Sequence, residues 1–427
     1  MSQPTTRTHA LAGSRHGALA LALFALGAAQ AQTVRPPQAQ AWIDVATFSG
    51  MGMPMGGMGG AGGGNPMAAL GSLFGGGGAA KNVFGHTQTG AAGRWVDVTL
   101  FARVNPTLTE AEQLVPGGFL DSPLKLQAPK EVRTPAPDTP DDKVVEHSQE
   151  RPRGKLLLYW GCGSSVRAGQ PKVLDMASAS AADLARFFQS RRATQRGTHS
   201  ATGRPDWPSP ADARMVPAGA SLVGTHAYRA SGVPENFRFQ IPAEQDLMPA
   251  LAVQQQAVDG ATELSWAALP TARAYFIAGM GAGGQEEMVI WTSSEQPDTG
   301  FGLLDYQTNP AVDRWLGEKI LLAPSTTRCS VPKGVFPGGA GMLRMIAYGS
   351  ELNLVHPPRP KDPKAVWEQE WAAKVRVKSV ASLMLGMPDR GGAGAPSGGA
   401  AEEERREPKK EEKKPNPLDL LRGVLGR

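Results

Sequence analysis

The run RWVDVTLFARV, Arg94–Val104, decides the fold class. Val96, Val98, Leu100, Ala102 and Val104 alternate with Trp95, Asp97, Thr99, Phe101 and Arg103. A period of two is the pattern of a strand with one apolar face, and β-branched and aromatic residues favour the same backbone. The signal recurs outward from this run. AWIDVAT (Ala41–Thr47), KLLLYWG (Lys155–Gly161) and SLVGTHAY (Ser221–Tyr228) read as strands, and in ENFRFQI the residues Phe237, Phe239 and Ile241 alternate with polar ones. Helices are few. Ser180-Ala-Ala-Asp183 resembles a capping box, and Leu184, Phe187 and Phe188 behind it predict one apolar face of about three turns. Asn309-Pro310 predicts a second helix, with Asn as the cap, Pro in the first turn and Gly317 as the stop. The expected class is mainly β: two β-sandwich-like domains with few short helices.

Length and composition fit this organisation. The chain has 427 residues, enough for two folded domains with accessory segments. Gly 52 and Pro 36 make up about one residue in five, against a usual share of roughly 12%. These residues must therefore be segregated from the folded parts. The glycines have no period of three, which excludes collagen. A single long apolar run excludes a multi-span membrane protein. That run, GALALALFALGAA, follows Arg7, Arg15 and His16 and ends in Ala29-Gln30-Ala31. Residues 1–31 thus read as a signal peptide, and the mature chain as exported, periplasmic or secreted, with no transmembrane span. Net charge is only +5, so no nucleic-acid partner is expected.

A β-rich domain is expected over residues 32–260. It carries a Gly/Met-rich flexible loop at 50–80 and a polar, Pro-rich linker or loop at 128–153. Residues 50–78 hold fourteen glycines and five methionines, too few core formers for a packed structure. A short helix or strand extension is expected at 358–390. The charges from Glu402 to Lys414 are six negative and six positive, so 391–427 reads as a disordered, solvated tail.

Between these lie residues 261–357. Leu264-Ser265-Trp266, a turn at Pro270, and Ala272-Arg-Ala-Tyr275-Phe276-Ile277 resemble the B and C strands of a fibronectin type III or related immunoglobulin-like β-sandwich. EMVIWTSS, EKILLA and MLRMIAYGSELNLV supply further strands within residues 262–355. The resemblance implies a binding or spacer module rather than a catalyst.

Three groups carry candidate chemistry. Met51, Met53, Met55 and Met58 put soft thioethers within eight residues of a glycine scaffold, a candidate Cu(I) site to which His86 would add a nitrogen; the plainer reading is incidental methionine in a low-complexity loop. The only cysteines, Cys162 and Cys329, are candidates for a disulfide in an exported chain. The alternative makes Cys162 the nucleophile of a periplasmic hydrolase or thiol enzyme, which needs a base such as His147, His199 or His226 brought near in space. Arg186, Arg191, Arg192, Arg196 and Arg204 form the densest basic patch, suited to lipid phosphate, lipopolysaccharide or acidic glycan, or simply solvated beyond a helix C-terminus. The functional expectation is an exported, non-enzymatic envelope protein with a binding or assembly role toward an envelope protein or glycan surface. The thiol enzyme and copper handling are the alternatives.

Overall fold

The computed structural model describes residues 32–50, 82–130, 154–194 and 197–386. The expected signal peptide, Met51, Met53, Met55, Met58, most of the 128–153 segment, Arg196 and the 391–427 tail lie outside the described residues.

The chain is mainly β. Its first strands are β1 (Val34–Arg35), β2 (Ala39–Gly50), β3 (Gly93–Ala102), β4 (Glu110–Leu114), β5 (Leu124–Gln127), β6 (Lys155–Trp160) and β7 (Lys172–Asp175). There follow β8 (Asp206–Trp207), β9 (Gly224–Arg229), β10 (Arg238–Ile241), β11 (Val253–Val258), β12 (Ala261–Trp266), β13 (Ala274–Ala282) and β14 (Glu287–Thr292). The last are β15 (Arg328–Val331), β16 (Met342–Tyr348), β17 (Leu352–His356), β18 (Trp367–Glu368) and β19 (Trp371–Met384).

One large sheet runs β10-β9-β4-β5-β8-β3-β2-β19-β16-β13-β14-β6-β7, with β17 paired to β19. A three-stranded sheet, β11-β12-β15, packs beside it, and β1 pairs with β18. The large sheet does not divide at residue 260. β19 runs parallel to β2 from Trp371↔Ala39 to Ser382↔Gly50, and antiparallel to β16. β14 runs parallel to β6. The expected separation into two independent sandwiches is therefore corrected: strands from both sides of the boundary share one ladder and one contiguous apolar core. The 358–390 segment is likewise no peripheral extension, because it supplies the central strand β19.

Alternation decides what each face of the sheet meets. Val96, Val98, Leu100 and Ala102 enter the larger apolar core with Ile43, Val45, Ala373, Val375 and Val377. Trp95, Asp97 and Thr99 on the opposite face are also buried. That face is covered by the helix Asn309–Gly317 and by the segment around Leu303 and Tyr306. Gly50 ends β2 with φ +81°, and a Cβ there would lie 2.0 Å from the Ser382 carbonyl oxygen.

Both expected helices form, with two corrections. Ser180 caps Ala181–Phe187 in a reciprocal box with Asp183, but the helix is shorter than three turns and buries no residue. The second helix spans Asn309–Gly317, and Thr308 stands at its N-cap instead of Asn309. The Asn309 amide bonds both backbone groups of Glu351, donating to its oxygen at 2.8 Å and accepting from its nitrogen at 2.9 Å.

Candidate functional site

β19 is built around three cations. Lys374, Arg376 and Lys378 alternate with Val375 and Val377, so all three fall on the covered face, and each meets an acid from a different segment. Lys374 reaches Glu351 at 2.6 Å, and Lys378 reaches Asp305 at 3.0 Å. Arg376 holds Asp44 on β2 through Nε–Oδ1 and Nη2–Oδ2, both 2.6 Å. Asp44 also accepts from the Thr198 backbone nitrogen at 3.0 Å and hydroxyl at 2.7 Å. The Tyr306 ring lies between Arg376, 4.3 Å away, and Lys378, 4.1 Å away. Burial pulls the Arg376 pKa down, but the Asp44 charge and hydrogen bonds hold it above its ordinary value; burial lowers that of Lys378 against the attraction of Asp305.

A fourth cation on this face, Arg344 of β16, makes no ion pair among the described residues. Its guanidinium sits 5.7 Å from the Phe48 ring, and burial pushes its pKa down to about 10. A ring face in a dry environment offsets part of the desolvation cost of such a charge.

Asp97 lies directly opposite Asp44 in the β2–β3 ladder. It accepts from the Gly85 nitrogen at 2.9 Å, the Thr87 nitrogen at 3.2 Å and the Thr87 hydroxyl, fixing the short helix His86–Thr89 to the sheet. Burial raises its pKa to about 7, against the hydrogen bonds and with a further push from the Asp44 charge. Apart from Arg344, these groups tie loops to the sheet by pairing with one another.

The open site lies at the other end of the sheet. A cleft of about 1030 Å³ is bounded by β7 and the helix Ala181–Phe187 on one side, and by Asp298, Arg314 and Trp315 on the other. Arg186, Arg191 and Arg192 all line it, so the structure brings three arginines of the sequence-read patch together. Arg204 does not join them; its guanidinium lies over the Trp42 and Phe101 rings at 5.1 and 4.4 Å.

The wall arginines are not equivalent. Buried Asp298 accepts from the Ser190 hydroxyl at 2.8 Å and the Gly300 nitrogen at 2.8 Å, and takes the Arg191 backbone nitrogen at 3.1 Å and its Nη1 at 3.0 Å. Glu318 stands 3.7 Å from both Arg191 and Arg314. Arg186 lies 3.8 Å from Asp183, whose carboxyl the Ser180 hydrogen bonds hold below its usual range. Lys172 and Arg192 also line the cleft, and neither meets a carboxylate within 4.0 Å among the described residues. Sequence reasoning missed Lys172, Arg314 and Asp298. They come from distant strands and turns, and no local spacing connects them to the patch.

The remaining candidates have structural employment. Cys162 and Cys329 form a disulfide that joins the end of β6 to β15. Cys162 therefore carries no thiolate, which corrects the thiol-enzyme alternative. His226 is fully buried: its Nδ1 faces the Gln113 amide at 3.1 Å and its Nε2 the Leu222 oxygen at 2.8 Å, while burial lowers its pKa. That arrangement suits a neutral ring whose Nε2–H donates to the carbonyl. His199 packs edge-on to Trp42 with centroids 5.9 Å apart, and His147 lies outside the described residues. His86 packs on Trp95 at 4.2 Å. Among the described residues, no group of three His, Cys, Asp or Glu is placed to hold a metal ion, and no helix is long and apolar enough to cross a membrane. Comparison with protein-family models, with curated proteins and with solved structures finds no match.

Proposed function

We propose that this chain is an exported, non-enzymatic protein of the cell envelope that acts by binding or assembly, with the cleft beside the helix Ala181–Phe187 as its binding face. One observation carries the reading. Around that cleft Arg186, Arg191 and Arg314 are each matched to an acid, whereas Lys172 and Arg192 are left exposed without one. A charge pair kept out of the internal network is available to a ligand at little desolvation cost.

Two further features support the reading. The Cys162–Cys329 disulfide suits an oxidising compartment, in keeping with the signal-peptide pattern of residues 1–31. Trp266 of β12, in the three-stranded β11-β12-β15 sheet, meets the Tyr275 ring of β13 edge-on at 5.6 Å. This arrangement supports the likeness of residues 262–355 to a fibronectin type III-like sandwich, here with β19 as a strand shared with the first half of the chain.

The test is cross-linking in cells from a photoreactive residue at exposed Gln189, on the cleft wall, after fractionation. The reading expects mature protein beginning after Ala31 outside the cytoplasm, and a discrete envelope adduct that Arg192→Glu abolishes. A cytoplasmic protein retaining residues 1–31 would overturn it.

A further inference from the structure

Deepening that reading, we propose that the cleft binds an organic phosphate, with Lys172 and Arg192 holding the phosphate group and Phe187 receiving the carbon body.

Two wall cations stand apart from the internal ion pairs. The cleft wall carries five cations, Lys172, Arg186, Arg191, Arg192 and Arg314, and three acids, Asp175, Asp183 and Asp298. Asp298 is consumed by Arg191 and by three backbone or hydroxyl donors, and Asp183 by the helix cap and Arg186. Asp175 accepts from the Ala177 nitrogen at 3.0 Å, turning the chain toward the helix. Arg314 is matched by Glu318 just outside the wall. The Asp175 charge has no cation within 4.0 Å, so with Glu318 the wall nets one positive charge, and Lys172 and Arg192 are its cations without an ion-pair partner among the described residues. A phosphate ester offers three strong acceptor oxygens, enough to meet both side chains at once, whereas a single carboxylate offers two. An arginine fork with a lysine point charge is a chemically apt pair of donors for it.

Size and lining argue for more than the bare ion. A volume near 1030 Å³ is at the upper end of ordinary small-molecule sites, about 300–1,000 Å³, and far exceeds one phosphate. Phe187 lines the cleft and meets Phe188 edge-on at 5.4 Å, and Phe188 stacks on Phe301 at 6.0 Å. The helix that carries Phe187 buries none of its residues, so its apolar side is incompletely covered by protein. An apolar strip beside two cations without a carboxylate partner, Arg192 and Lys172, the latter 5.9 Å from the Trp160 ring, fits an amphiphilic phosphate.

The source of the phosphate is a lipid headgroup or a soluble sugar phosphate, and the titration separates the two. Full-length mature protein is titrated calorimetrically with monomeric dihexanoyl phosphatidic acid, glucose 6-phosphate, inorganic phosphate and dihexanoylphosphatidylcholine. The proposal expects at least one organic phosphate to bind tenfold or more tighter than inorganic phosphate and than the phosphatidylcholine. Whichever wins names the source. Lys172→Ala and Arg192→Ala are each expected to weaken it tenfold or more. Arg238→Ala, an exposed cation on β10 at the opposite edge of the large sheet, is expected to change affinity less than threefold. All three sites are on the surface, and circular dichroism checks each fold. Equal binding of inorganic phosphate, equal binding of the phosphatidylcholine, no binding at all, or indifference to Lys172→Ala with Arg192→Ala would each overturn the proposal. A protein that is exported and cross-links from Gln189, yet ignores every phosphate, would keep the broader reading and lose this ligand.

Discussion

Replacing Asp97 with asparagine is expected to remove a pH dependence that the native carboxyl imposes on the fold. Burial moves the Asp97 pKa from 3.8 to about 7, so the folded state holds this proton more tightly than the unfolded chain does. Below pH 3.8 both states are protonated and the full benefit is present. Between 3.8 and 7 the folded state binds more protons, so stability falls as the pH rises, and the benefit is gone above 7. At 1.36 kcal/mol per pKa unit the shift corresponds to roughly 4 kcal/mol. Asparagine keeps an acceptor for the Gly85 nitrogen but sets an NH2 group against the Thr87 nitrogen, a cost that is the same at every pH. Urea unfolding followed by tryptophan fluorescence from pH 4 to 8 gives the difference between variant and native stability. That difference is expected to move in favour of the variant across the window, by up to about 4 kcal/mol. His86, also near this helix, titrates in both proteins, so its contribution cancels. Parallel pH curves for the two proteins would refute the account of a buried, proton-holding carboxyl.

Removing Arg376 alone, as Arg376→Met, leaves Asp44 buried and unmatched and is expected to cost about 3–5 kcal/mol in urea unfolding, with more than half recovered when Asp44→Leu is added. Gly197→Ala would place a Cβ 1.7 Å from Arg376 Nη2 and 2.6 Å from Asp44 Oδ2, so it is expected to destabilise by about 3 kcal/mol or more; an unchanged melting temperature would contradict the packing at that point. The Cys162–Cys329 bridge spans 167 positions, for which loop-closure entropy gives about 5 kcal/mol lost in Cys162→Ser/Cys329→Ser, and the native protein is expected to show no free thiol in denaturant before reduction.

Strand identity was legible because it is local. The alternation in Arg94–Val104 and in ENFRFQI needs no distant partner to be read, and strands form there over Gly93–Ala102 and Arg238–Ile241. The capping box at Ser180 was legible for the same reason. What failed was inference about partners. Lys374, Arg376 and Lys378 among valines look like the wet face of an edge strand, since an unpaired lysine or arginine is rarely buried. Their acids, Glu351, Asp44 and Asp305, come from three separate segments, and only the assembled sheet shows them matched. The same holds for Asn309, a good cap by residue type that is instead engaged by Glu351. At the cleft, the arginines after the helix were visible as a cluster. Which of them is spent and which is free depends on Asp298 and Glu318, over a hundred residues further along the chain.

The position of β19 sets the order in which the molecule can be completed. Its ladder to β2 joins residues 332 positions apart, and it also separates β2 from β16, so no earlier strand occupies its place. Until residue 384 has been synthesised, β2 keeps an open edge and the two halves of the large sheet have no seam. Closing a contact over so long a stretch is slow, because chain entropy is lost before the new hydrogen bonds and apolar burial repay it. The nascent chain therefore lacks the seam between the two halves of its sheet until late in its synthesis. For a chain that must pass unfolded through a membrane channel, that delay keeps the polypeptide threadable, and for one that stayed behind it would leave a long strand edge exposed to aggregation.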